Sequence, residues 1–138
     1  MRTNRIALAV SVLLLTTWSR CDRESAATLA REASGALAAR GLTVGAFAEV
    51  SHYPAAAQGR ERVECSAVSR QDADCRVCLV AYEDADAALA AVNSKIKAAL
   101  PEGSAYFVRG KTILVVEPGP RRPNSLIQEV HDALTALP

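Results

Sequence analysis

Aromatic residues are scarce in this chain: one Trp, three Tyr and two Phe in 138 positions. Its core must therefore be built from aliphatic side chains, which individually bury less area than an aromatic ring. An excess of one charge is also lacking, since 16 basic residues stand against 15 acidic ones. A near-balanced chain has no clustered positive field of the kind a polyanion needs, so nucleic acid is excluded as the expected partner. The sequence has no G-x-S-x-G elbow, no glycine-rich phosphate loop and no H-E-x-x-H. Its apolar stretch from Ile6 to Leu15, broken only by Ser11, is well short of the roughly 20 residues that span a bilayer as a helix.

What is present is half hydrophobic and mostly Ala, Leu and Val, enough for one domain. The first residues, "MRTNRIALAVSVLLLTTWS", place Arg2 and Arg5 before the apolar run and small polar residues after it. That layout resembles a bacterial export signal. Cys21 follows directly and resembles the acylated cysteine of bacterial lipoproteins, although Arg20 and Trp18 replace the small and aliphatic residues usual there. The resemblance implies export to the periplasm or cell surface, with a lipid anchor on Cys21 as the one contact with a membrane. Cleavage after Ser19 or Ala27 is the other form of processing. Residues 1–24 are thus read as signal and linker, and residues 25–138 as a single domain. Losing the first 24 removes Arg2, Arg5, Arg20 and Arg23 with Asp22 and Glu24, leaving a domain near neutrality without strong electrostatic steering.

Export bears on the cysteines, because thiols outside the cytoplasm tend to oxidise. Cys65, Cys75 and Cys78 remain in the domain, so one disulfide and one thiol are expected. "RVECSAV" and "CRVCLVAY" read as two strands around the polar stretch "SRQDAD". A turn centred on Gln71 and Asp72 sets Cys65 opposite Cys78; a slip of three sets it opposite Cys75. The polar loop favours Cys65–Cys78. A C-x-x-C redox centre belongs at a helix N-terminus, whereas this one runs into Leu79-Val80-Ala81-Tyr82. Zinc would need four ligands; the three cysteines and His52 could supply them, but His52 lies at a strand end, far from any second ligand in sequence. Neither a metal nor a cofactor is expected.

The remaining pattern alternates. Leu29, Ala33 and Leu37 have helical spacing, with Gly41 as stop. Residues 42–52 read as a strand, broken by Pro54. Asp84 caps a helix whose apolar line is Ala85, Leu89, Val92, Ile96 and Leu100. A second hairpin runs from Tyr106 to Val108 and from Thr112 to Val116 around Arg109-Gly110. Ser125 and Gln128 form a capping box for a last helix lined by Ile127, Val130, Leu134 and Leu137. This order predicts an α+β two-layer sandwich: an antiparallel sheet of about five strands with helices packed on it. Its second face stays open or is covered by the N-terminal helix.

Candidate sites are few. His131 beside Asp132 reads as a surface histidine, since adjacent helical residues do not face each other. The acids at 83–86 suit a helix N-terminus and lack the spacing of a calcium loop. Arg109, Lys111, Arg121 and Arg122 are candidates for a small basic patch. The sequence therefore points to an exported, non-enzymatic binding module whose partner is a protein or envelope component. The competing expectation is a small envelope thiol, redox or metal-binding factor using Cys65, Cys75 and Cys78.

Overall fold

The computed structural model describes residues 26–53, 61–121 and 125–138. The segment read as an export signal, Cys21, Pro54 and Arg122 lie outside these residues, as does the side chain of Ser125. In chain order the elements are α1 (residues 26–39), β1 (Thr43–Val44), β2 (Ala48–Glu49), β3 (Arg62–Arg70) and β4 (Ala73–Ala81). They continue with α2 (Ala85–Ala91), a π-helical turn (Val92–Ile96), α3 (Lys97–Ala99), β5 (Ala105–Arg109), β6 (Thr112–Pro118) and α4 (Ser125–Thr135).

All strand pairings are antiparallel, in the order β1-β3-β4-β6-β5, with β2 also on β3. This is the α+β sandwich the sequence predicts. The five strand positions hold six strands because β1 and β2 share one edge. The first hairpin turns on Gln71 and Asp72, which pairs Arg70 with Ala73 and Cys65 with Cys78. Gln71 takes a left-handed φ of 49°, a conformation that costs non-glycine residues energy and marks a turn dictated by the ladder around it. The second turn falls on Gly110 and Lys111, one residue later than the sequence suggests, and Gly110 supplies the positive φ there.

Central strands decide the layering. β4 and β6 are apolar at nearly every position, and residues 77–80 and 112–117 are all buried. Such strands require cover on both faces. On one face, Leu29, Ala33 and Leu37 of α1 join Leu126, Ile127, Val130, Ala133 and Leu134 of α4 over Val68, Val77, Leu79, Leu114 and Val116. On the other, Ala88 and Ile96 lie over Val63, Cys65, Cys78, Val80, Ile113 and Val115, with Tyr53 alongside. The expected two layers thus gain a thinner third, and α1 shares its face with α4 instead of covering the opposite one. Among the described residues both apolar faces carry helical cover, which corrects the expectation of a second face left open or covered by the N-terminal helix.

The α2 segment also sits differently on the sheet. Ala88 and Ile96 are fully buried, while Leu89, expected on the inner line, is 49% exposed. Turning Leu89 inward would bring Asp86 and Asn93, one turn away on either side, toward the apolar face. Ala88 instead lets the helix lie close to the strands. Asp84 does cap this helix, accepting from the Ala87 N–H at 2.7 Å. At α4, Gln128 donates to Asp132 Oδ1 (2.8 Å).

Candidate functional site

The cysteines are the first candidates, and the ladder explains their fate. Cys65 and Cys78 stand directly opposite and form a disulfide, with Cα atoms 4.1 Å apart. That spacing belongs to a non-hydrogen-bonded antiparallel pair, where side chains approach most closely. Cys75, three residues back, lies on the opposite face within the α1/α4 core and is the free thiol among the described residues. Cys75 and Cys78 therefore do not form a C-x-x-C pair. Burial pushes the Cys75 thiol up to about 12, with the Asp74 carboxylate adding to the shift. A thiol so placed remains protonated and is a poor nucleophile.

A polar cluster lies at the hairpin end of the disulfide face. Arg76 on β4 and Glu117 on β6 are cross-strand partners. Arg76 Nε donates to Glu117 Oε2 at 2.8 Å, and its Nη2 lies 2.6 Å from the same oxygen. The other oxygen, Oε1, accepts from the Tyr53 hydroxyl at 2.6 Å. The guanidinium also lies over the Tyr53 ring, 5.7 Å from its centroid. Glu117 is only 5% exposed, so its charge requires these partners. Burial raises the Tyr53 pKa far above the usual phenol range, reinforced by its hydrogen bond to Glu117. Tyr53 thus remains a donor, and both carboxylate oxygens are engaged. Chemically the cluster ties the segment after β2 to the two central strands. Sequence reasoning missed it because Tyr53 and Glu117 are 64 residues apart; the one available signal was a glutamate closing an otherwise apolar strand.

The remaining candidates disperse. His52 is exposed. His131 packs edge-on against Phe107, with ring centroids 5.4 Å apart, and its Nδ1 lies 3.9 Å from Asp132 Oδ1. The candidate basic patch does not assemble among the described residues: Arg109 and Lys111 flank one end of β6, whereas Arg121 follows the other. Arg109 pairs with Glu32 at 3.8 Å and donates to the Pro138 carbonyl. Arg121 instead engages Asp74, through a backbone N–H at 2.8 Å and Nε at 3.6 Å. Among the described residues no group of three His, Cys, Asp or Glu is placed to hold a metal ion.

One cleft of about 470 Å³ opens between α1 and the β5–β6 turn, lined by Thr28, Leu29, Glu32, Arg109, Gly110, Lys111 and Thr112. Its Glu32 and Arg109 face each other as an ion pair. No described helix is long and apolar enough to cross a membrane. Comparison with known protein families, curated proteins and solved structures finds no match.

Proposed function

We propose that this chain is an exported cell-envelope protein whose domain acts by binding a protein or envelope component, without catalysis. The observation that supports it most is the state of the reactive groups. Cys65 and Cys78 are joined, Cys75 is buried, and Glu117 is engaged at both oxygens. Catalysis needs a nucleophile or acid–base pair presented to a shaped pocket, and these groups are turned to holding the sheet instead. A disulfide fits an oxidising compartment, in keeping with the export signal that residues 1–24 resemble. With both apolar faces covered, binding falls to the loop ends and sheet edges.

Two measurements test this reading. Expressed in a bacterium with its own N-terminus, the protein should lose about 19–27 residues, as signal peptides of ordinary length do. Intact mass reports the loss, and a full-length cytoplasmic species defeats the export reading. Cys21→Ser should abolish acylation where an anchor forms and leave maturation unchanged where it does not. Thiol titration of the unfolded protein separates binding from the redox or metal alternative. Without reductant, Cys75 should be the one thiol found between residues 26 and 138; a free Cys65 with Cys75 and Cys78 linked favours the alternative.

A further inference from the structure

The two edges of the sheet are finished differently. On one side the outer position is split between β1 and β2, two residues each, with residues 45–47 between them. There Gly45 N–H donates to Ala67 O at 2.9 Å, and the Gly45 carbonyl accepts from Ser66 Oγ at 2.6 Å. Short, interrupted edge strands of this kind resist pairing with another chain. On the other side β5, "AYFVR", runs five residues without proline, break or internal charge. Among the described residues no strand pairs with its outer side.

Parity decides which backbone groups are free there. Tyr82 N–H donates to Lys111 O and Gly119 N–H to Asp74 O, so odd-numbered residues from 111 to 119 turn their backbone groups toward β4. Thr112, Leu114 and Val116 therefore bond to Arg109, Phe107 and Ala105 of β5. Tyr106 and Val108 are left aiming N–H and C=O outward.

We propose that β5 pairs antiparallel with β5 of a second copy of this chain, about a two-fold axis at Phe107. This rests on the binding reading and names its partner. In that register Tyr106 of each copy exchanges both N–H···O bonds with Val108 of the other, which satisfies every outward group. Phe107 faces its own counterpart as the closer, non-hydrogen-bonded pair, where aromatic contacts are favourable. Arg109, the one charge on the strand, faces Ala105, so no like charges meet. The strand is thus complementary to itself, residue by residue.

α4 leaves room for the joint. α4 packs across β4, β6 and β5, which centres it on β6. The β6 strands of two copies would lie three strand spacings apart, about 14 Å, beyond the roughly 8–10 Å between packed helix axes. Five residues a side bury less than the roughly 1,200 Å² of standard interfaces, so the dimer is weak and reversible.

Sedimentation of the full mature chain between about 10 μM and about 1 mM should show a monomer–dimer equilibrium in the micromolar-to-millimolar range. Amide exchange at Tyr106 and Val108 should slow about tenfold over that range, while Phe107, already bonded to β6, stays unchanged. Ala105→Glu sets a carboxylate opposite Arg109 of the second copy and should tighten the dimer about threefold or more; Ala105→Lys should loosen it similarly. Opposite effects at one position separate register-specific pairing from a folding defect. A monomer at about 1 mM with fast exchange at both amides overturns the proposal, as does a dimer indifferent to both substitutions. Protection of those amides by an added extended peptide, with the protein still monomeric, overturns self-pairing yet leaves the binding reading standing. That reading fails separately, on a cytoplasmic full-length product.

Discussion

The two faces of this sheet are closed by different means. The α1/α4 face is covered by two helices of three or more turns and sealed by aliphatic contacts, with Leu37, Val130 and Leu134 fully buried. Over the other face lie α2, one π-helical turn and a three-residue helix, and among their described side chains only Ala88 and Ile96 are completely buried. That face also holds the disulfide and the Tyr53–Glu117–Arg76 cluster. The contrast teaches where covalent and polar links are needed: burial scales with apolar area, and the thin layer supplies little of it. Fixed cross-strand ties compensate.

The largest expected effect tests the aliphatic face. Leu134→Ala should lower unfolding free energy by about 4 kcal/mol, because a close-packed site between two helices cannot collapse around the lost atoms. Ile96→Ala, beneath a short and adaptable cover, should cost about 2 kcal/mol, toward the lower end for such truncations. Denaturant titration of both variants gives the comparison, and equal costs would erase the distinction between faces.

Next comes the staple. Replacing both Cys65 and Cys78 by Ala should cost about 3 kcal/mol, the chain-entropy figure for a short closed loop whose ends are 13 residues apart. Hydrogen exchange should speed up over α2 before it does over α4. Uniform loosening of both would show that the disulfide serves the whole sheet.

Smaller again is Tyr53→Phe. It leaves Glu117 Oε1 buried without its donor, a loss of about 1–2 kcal/mol. A change within error, by thermal unfolding, would mean that the Arg76 contacts suffice.

Cys75 gives an effect confined to alkaline solution. Its folded pKa, about 12, stands above an unfolded thiol near 8.5. Below about pH 8.5 this group adds no pH dependence. As pH rises from there toward 12 the unfolded thiolate is favoured and stability falls. Cys75→Ala should flatten that alkaline decline, whatever its offset at neutral pH, and the native thiol should resist alkylation at about pH 8.

The smallest effect lies at the surface. Arg70 reaches Glu129 through two hydrogen bonds of 2.8 and 2.6 Å, and Arg40 O through a third of 2.8 Å. The Arg70 hydrogen bonds hold the Glu129 carboxyl below its usual range. The pair's contribution is present above the ordinary glutamate pKa of about 4 and lost as pH falls through the lowered value. Glu129→Gln should slightly reduce the acid-side slope of stability against pH, since exposed pairs are worth little. An unchanged slope removes Glu129 from the account of acid sensitivity.

What the sequence determined by itself was local. Alternation, turn residues and caps placed two hairpins and three helical stretches, because each depends on neighbours a few residues away. The Cys65–Cys78 pairing was legible for the same reason: once Gln71 and Asp72 form the turn, counting outward fixes the register. Only the tertiary structure decided how the helices divide between the faces, since β4 and β6 are apolar on both sides and accept cover from either. It also set Leu89 outward and Ala88 inward, a rotation governed by the polar residues one turn away. The Tyr53–Glu117–Arg76 cluster was decided there too. Its members meet across 64 residues, and a buried carboxylate finds its partners only where the folded chain brings them.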